Sequence, residues 1–275
     1  MALIQFLITA LLGLQVLAAS PPKKPVDPTA PHCFTDMGEA QKTECPVALA
    51  KIIYDKDTMN KLENKLSVVS GDCYINVYNK KKVVVTKKQI EDTVTEITKS
   101  CKSGPDLTQA PRSEGLVKPG WCKAPLAKRA SEGGSLREGD APHWEVTIWV
   151  TARFNPRNWY TPYDPDFPLE KIYCFHGAGV VKEDCLEAFN QIPVDGQGQL
   201  VSPTTKKLAQ SLEIKAKACR VTAYTSDGTN VVLKKQDVSA IVTGMINQCN
   251  PAWGTVNIKG AEGPNGHVTI VTRRH

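Results

Sequence analysis

The chain contains one cysteine-centred module twice, and this duplication limits the fold more than any other feature. The two copies span Cys33 to Cys101 and Cys174 to Cys249, with four cysteines in the same order. Their neighbours match as well. Alanine and isoleucine lie three and seven positions after the second cysteine of each copy, and tyrosine lies five after the third. Two copies are too few for a stacked solenoid, so two packed domains are predicted.

Residues 1–19 are predicted to be a secretory signal peptide. The apolar run from Ala2 to Leu17 ends in small residues and is shorter than the ~20 residues that a membrane-spanning helix needs. Secretion would place the nine cysteines in an oxidising compartment, where such spacings indicate disulfides. We therefore expect a secreted, extracellular protein with no metal or other cofactor.

The remaining chain divides into two repeats and a linker. Repeat one is assigned to residues 20–154 and repeat two to residues 169–275, with a linker rich in proline and aromatic residues at 155–168. This linker is expected to fasten the repeats together, the alternative being an exposed aromatic surface that stacks on glycans. Within repeat one, residues 102–142 are rich in Gly, Pro, Ser and charge and are predicted to be a long loop.

Hydrophobic patterns predict the order strand, helix, strand, strand, helix, strand in each repeat. First helices begin at Cys45 and Cys185, and second helices carry apolar residues at helical spacing. The middle strands are predicted as hairpins, and the last strands close each repeat. These strands are predicted at 73–78 with 83–86, 220–224 with 230–233, 144–151 and 267–272. The order is typical of the ferredoxin-like (βαββαβ) sandwich, so the predicted fold is α+β with two tandem sandwiches stabilised by disulfides.

The predicted topology also favours one disulfide pattern. In a ferredoxin-like sandwich the first helix starts and the second helix ends at the same end of the sheet, while the remaining two cysteines start parallel strands at the opposite end. The favoured pairs are Cys45–Cys101, Cys33–Cys73, Cys185–Cys249 and Cys174–Cys219. Two other connectivities in each repeat stay open, since spacing alone does not exclude them.

Two features of the predicted loop have no counterpart in repeat two. Cys122 is the ninth cysteine, and it is either free or joins two chains in a disulfide dimer. Lys128-Arg129 is the only Lys-Arg pair in the chain and is a candidate site for a Kex-type processing protease. The alternative for this pair is a plain solvated loop.

Catalytic patterns are missing from the sequence. None of the five histidines lies in a metalloprotease, serine hydrolase or paired-carboxylate motif. His143 and His267 each precede a last strand, and we interpret them as polar residues at strand ends and not as a duplicated general base. The net charge of +6 is spread over both repeats, which indicates a solvated surface or adsorption to an acidic wall or membrane. We predict a non-enzyme that does not bind nucleic acid.

The cysteine-centred motif resembles the small cysteine-rich secreted proteins of fungi. The resemblance covers most of both repeats. Two families of this kind are the extracellular necrosis-inducing effectors and the virus-encoded killer toxins of smut fungi. The residues that carry it are Glu44-Cys45, Ala48, Ile52, Gly71-Asp72-Cys73 and Ile90 to Ile97, then Asp184-Cys185, Ala188, Ile192, Cys219 and Val238 to Ile246. The tandem duplication and the unmatched Cys122 depart from that pattern.

This resemblance implies a fungal secreted effector that acts on virulence or cell death by binding a host target outside the cell. One alternative is a killer-type antifungal toxin, and another is a secreted glycan-binding or inhibitor protein. The partners expected from these alternatives are a host or competitor cell-surface protein, a cell-wall glycan or a membrane.

Overall fold

The computed structural model describes residues 32–33, 43–101, 121–126, 146–152, 161–177 and 179–275. The predicted signal peptide, the Lys128-Arg129 pair and His143 lie outside the described residues. Among the helices that are described, none is long and apolar enough to span a bilayer.

Repeat one forms a five-stranded antiparallel sheet with two helices. Its elements are β1 (His32–Cys33), α1 (Cys45–Leu49), β2 (Lys65–Ser70), β3 (Cys73–Tyr78), α2 (Lys87–Ser100), β4 (Trp121–Leu126) and β5 (Val146–Ala152). The strand order is β1-β4-β5-β3-β2. Helix α2 begins with a capping box, in which the side chains of Thr86 and Gln89 each accept a backbone N–H of the other residue. Ile90, Val94 and Ile97 are at most 1% exposed and face the core, as their spacing predicts.

Repeat two has the same architecture. Its elements are β6 (Tyr173–Cys174), α3 (Lys182–Asn190), β7 (Ser211–Ala216), β8 (Cys219–Thr225), α4 (Lys235–Cys249), β9 (Gly254–Ile258) and β10 (Val268–Arg274). The strand order is β6-β9-β10-β8-β7, and every neighbouring pair is antiparallel. Helix α3 packs on β7 and β8, α4 packs on β6 and β9, and the two helices contact each other. They therefore cover one face of the sheet.

Two antiparallel sheets with helices and disulfides are thus confirmed, but the strand order is not ferredoxin-like. In a ferredoxin-like sheet the first strand lies in the centre and pairs antiparallel with the third. Here the last strand, β5 or β10, takes that place and runs antiparallel to the third strand, β3 or β8. The first strand lies at the edge and pairs with an additional strand, β4 or β9. In repeat one this additional strand lies inside the segment predicted as a loop.

The predicted hairpins were also misplaced. The strands 73–78 and 220–224 are present, but each pairs with the segment before it, β2 or β7, through a two-residue turn. Residues 83–86 and 230–233 are not strands of either sheet. Their apolar character has another cause, because Val85, Val231 and Leu233 are at most 5% exposed and pack into the cores on the approach to the second helix.

The disulfide pattern corrects the predicted pairs Cys45–Cys101, Cys33–Cys73, Cys185–Cys249 and Cys174–Cys219. The observed bonds are Cys45–Cys73, Cys185–Cys219 and Cys174–Cys249. Cys101 is also disulfide-bonded. The hydrophobic pattern predicts the strand that begins at Cys73 or Cys219 as the second strand, parallel to the first. It is instead the third strand and runs antiparallel to the first. Its first residue, Cys73 or Cys219, therefore starts at the end of the sheet where the first helix also starts.

An acidic side chain reinforces the bond between the first helix and the third strand. Glu44 precedes Cys45 and accepts a hydrogen bond from the backbone N–H of Asp72, which precedes Cys73. In repeat two Asp184 accepts the N–H of Ala218 at 3.2 Å in the same relation to Cys185 and Cys219. These acids therefore hold the hairpin turn, in addition to any effect on the helix N-terminus.

Peptide mapping without reduction tests this pattern. We expect fragments that join Cys45 to Cys73, Cys185 to Cys219 and Cys174 to Cys249. Equivalence of the repeats predicts Cys33 as the partner of Cys101. A fragment that joins Cys185 to Cys249 would contradict the antiparallel third strand, because that strand places Cys219, and not Cys249, next to Cys185.

Candidate functional site between the repeats

A pocket of about 310 Å³ lies between the two repeats. Its volume falls at the lower end of the ~300–1,000 Å³ range of small-molecule sites. Both repeats and the linker contribute to its lining. The lining residues used below are Lys65, Ser67 and Tyr74 from repeat one, Tyr224, Ser226, His267 and Thr269 from repeat two, and Tyr163 from the linker.

The strand period explains why these side chains reach the pocket. Side chains alternate between the two faces of a strand, so the neighbours of core residues point away from the helices. Ala223 is fully buried in the core, and Tyr224 lies on the opposite face of β8. Ile75 and Tyr74 of β3 have the same relation. Residues from the helix-free faces of both sheets therefore line the pocket.

Ser226 and His267 form a hydrogen-bonded pair at the edge of the pocket. The backbone N–H of His267 donates to Ser226 Oγ at 2.9 Å, and Oγ lies 3.3 Å from His267 Nδ1. Since Oγ accepts the hydrogen bond from this N–H, its own hydroxyl hydrogen can be donated to Nδ1. Burial, with a smaller contribution from the charge of Lys65, lowers the pKa of His267 to about 4. The ring is therefore neutral at physiological pH and is a weak base for proton abstraction.

Lys65 brings a positive charge to the same pocket. Burial lowers its pKa from the ordinary value, because a partly desolvated ammonium is disfavoured. Its Nζ atom lies 5.7 Å from the centroid of the Tyr78 ring. Within the described part of the chain, no carboxylate lies at ion-pair distance from Lys65 Nζ.

An aromatic cluster adjoins the rim of the pocket. The rings of Phe175 and Trp253 stack with centroids 3.5 Å apart and planes at 5°. Arg273 lies over the Trp253 ring at 4.9 Å and donates a hydrogen bond of 3.0 Å from Nη2 to the hydroxyl of Tyr163. Tyr163 is 46% exposed, whereas Phe175 and Trp253 are half-buried, so Tyr163 is the accessible aromatic ring at the rim.

Asn265 of repeat two fastens the repeats together beside the pocket. Its side-chain amide accepts the N–H of Ile53 at 2.7 Å and donates to the carbonyl of Ile53 at 2.8 Å. Its backbone N–H and side-chain Nδ2 also donate to the carboxylate of Glu63, at 2.9 to 3.1 Å. One residue thus satisfies backbone and side-chain groups of repeat one.

Two acidic side chains are buried at this contact. Glu63 is 0% exposed and Asp227 is 1% exposed. Burial is the main cause that raises the pKa of Glu63 to about 7, and the charge of Asp227 adds to it while the bonds from Asn265 oppose it. Burial likewise raises the pKa of Asp227, although Thr229 donates to its Oδ1 at 3.0 and 2.8 Å. The backbone carbonyl of Asp227 also accepts the N–H groups of Asn64 and Lys65.

The structure brings together only part of what the sequence indicated. The described end of the linker lies at the pocket, and the buried Asn257 donates to the carbonyl of Pro162 at 2.7 Å. His267, interpreted from the sequence as a polar strand end, lines the pocket. Sequence reasoning missed Glu63 and Asn265 entirely. The shared tyrosine after the third cysteine and the Ser226-Asp227-Gly228 turn were visible, but no pattern connected them to repeat one.

Replacement of Asn265 with alanine should destabilise the protein. N265A removes the side-chain donor of the buried Glu63 carboxylate, while the backbone donor stays, and it leaves both Ile53 backbone groups without their partner. We therefore expect a loss of about 2–3 kcal/mol in the free energy of unfolding. Urea denaturation measures it. N247A, at an exposed helical position, is the matched control and should cost nothing. Equal effects of the two variants would contradict the role assigned to Asn265.

Replacement of Glu63 with glutamine should change how stability depends on pH. The pKa of Glu63 rises from 4.5 to about 7 on folding, so the folded state keeps a proton that the unfolded state has lost between these values. The stabilisation from this group is present below pH 4.5 and is lost as the pH rises to 7. E63Q lacks this titration. Relative to the wild type it should gain up to about 1.4 kcal/mol per pH unit across that window.

Urea denaturation between pH 4 and 8 measures this difference. His267 titrates in both proteins, so its contribution cancels when they are compared. E96Q changes an exposed carboxylate, and its free energy of unfolding should depend on pH as that of the wild type does. If the free energy of unfolding of E63Q also had the same pH dependence as that of the wild type, Glu63 would keep an ordinary pKa.

Comparisons with protein-family models, with curated proteins and with solved structures found no match to this chain.

Proposed function

We propose that the protein is a secreted effector that acts outside the cell by binding a host target, without chemistry of its own. The observation that carries this proposal is the pocket between the repeats, lined by tyrosines, neutral hydrogen-bonding groups and the cation Lys65. Such a lining is typical of a binding site. The disulfides of both repeats support the extracellular part of the proposal, because such bonds persist in oxidising compartments.

The low pKa of His267 supports a binding function over a catalytic one. A general base works best when its pKa is near the working pH. The pKa of His267 is about 4, so at neutral pH this ring is a weak base and serves Ser226 as a hydrogen-bond acceptor. Ser226 and His267 then present fixed polar groups to a ligand.

The arrangement of the repeats supports a preformed binding surface. Asn265 and Asp227 of repeat two hydrogen-bond to the backbone of repeat one at Ile53, Asn64 and Lys65. Lys65 is itself a lining residue, so the contact that joins the repeats also fixes one wall of the pocket. A preformed site costs less entropy on binding than one that must be ordered.

Infiltration of the oxidised protein into leaf tissue tests the effector proposal. We expect cell death or an altered immune response, and a loss of at least tenfold in potency after reduction and alkylation, because the bonds that tie the first helix to the third strand are then gone. The same samples are applied to lawns of competitor fungi. Growth inhibition there, together with no leaf response from correctly folded protein, would favour the killer-toxin alternative and overturn the proposal.

A further inference from the structure

Lys65 sets the charge that the pocket can accept. Among the described lining residues it is the one side chain that is cationic at neutral pH, since the ring of His267 is neutral. No described carboxylate pairs with it, and Lys65 is partly buried. A desolvated charge is disfavoured until an opposite charge compensates it. The pocket is therefore complementary to an anionic group at Lys65 Nζ.

The rest of the lining is suited to a hydroxyl-rich ring. Tyr74, Tyr163 and Tyr224 bring aromatic faces together with hydroxyls, and such side chains bury an apolar surface while they keep a polar tip. Ser67, Ser226 and Thr269 add further hydroxyls. A pyranose ring offers the same combination, because its C–H groups form apolar faces and its hydroxyls donate and accept hydrogen bonds.

The number of charges narrows the ligand further. A nucleotide or a sugar phosphate carries about two negative charges or more at neutral pH. Lys65 alone would leave part of that charge uncompensated inside the pocket, because Arg273 contacts Tyr163 and Trp253 and is not among the described lining residues. A uronic acid carries one carboxylate on a hydroxylated ring. Its single charge matches Lys65, and its ring matches the tyrosines and hydroxyls.

We infer that the pocket between the repeats binds an acidic sugar of the uronate class, with the carboxylate at Lys65 and the ring among Tyr74, Tyr163 and Tyr224. This inference rests on the proposed binding function and names its ligand. The exposed Tyr163 at the rim gives a chain of such sugars a place to continue outside the pocket. Its hydroxyl is held by Arg273, which keeps the ring at the rim.

Calorimetric titration of the full secreted protein with the trimer of galacturonic acid tests the inference. The fully methyl-esterified trimer is the matched probe, since it keeps the rings and hydroxyls but loses the charges. We expect the acid trimer to bind at least tenfold more tightly than the ester. Inorganic phosphate is the third probe and should bind at least tenfold more weakly than the acid trimer, because it lacks a ring.

Three lysine variants locate the site. K65M should weaken binding of the acid trimer at least tenfold, and K65R, which keeps the charge, should retain binding within about threefold of the wild type. K88M removes an exposed lysine of α2 and should leave binding unchanged. Circular dichroism verifies that each variant is folded. The comparison of acid and ester uses only the wild-type protein, so it still tests the inference if K65M does not fold.

Four outcomes would overturn the inference. These are equal affinity for acid and ester, equal affinity of folded K65M and wild type, phosphate that binds as tightly as the acid trimer, and no binding of any probe. The leaf assay separates this inference from the proposed function. A leaf response without trimer binding rejects the uronate ligand alone, and trimer binding without a leaf response rejects the effector role alone.

Discussion

The direction of the third strand is the constraint on which the rest of the structure depends. Because β3 and β8 run antiparallel to the last strand and to the first, each begins at the end of the sheet where the first helix starts. Cys73 and Cys219 can then bond to Cys45 and Cys185, and the preceding acidic residue can hold the hairpin turn. Each such bond contributes about 2–4 kcal/mol and fixes a first helix that, in repeat one, is only five residues long. An isolated helix of that length would not be stable.

The same strand arrangement determines where a ligand site can form. With both helices on one face, the other face of each sheet is left for contact, and polar side chains from these faces line the pocket. The contact between the repeats beside this pocket contains buried carboxylates, and burial of a carboxylate without hydrogen-bond partners costs free energy. Asn265 satisfies Glu63 and Thr229 satisfies one oxygen of Asp227. Such bonds require particular residues in a particular register, so they favour one relative placement of the repeats over a less specific apolar contact.

The sequence predicted local structure well where a pattern had one interpretation. The helical spacing of Ile90, Val94 and Ile97 located α2, and the duplicated cysteines indicated two copies of one architecture. It failed where two structures share a pattern. Residues 83–86 are as apolar as a strand but form a buried approach to α2. Strand β4 contains Lys123 and Pro125 and has no clean alternation, so its sequence predicts a loop. The predicted disulfide pairs were wrong because they depended on the ferredoxin-like strand order. Glu63 and Asn265 are 202 positions apart, and no local pattern predicts their contact.

The two groups with the largest pKa changes at this contact titrate in opposite directions, and this limits the effect of acid on the pocket. The pKa of Glu63 rises to about 7, so its contribution to stability grows as the pH falls from 7 towards 4.5. The pKa of His267 falls to about 4, so its contribution is lost as the pH falls from 6.5 towards 4. In the range where both titrate, the contributions of the two groups to stability oppose each other. The contact that positions Lys65 therefore loses less stability in mild acid than the protonation of His267 alone would cause, and under these conditions a uronate of the proposed kind still carries its charge.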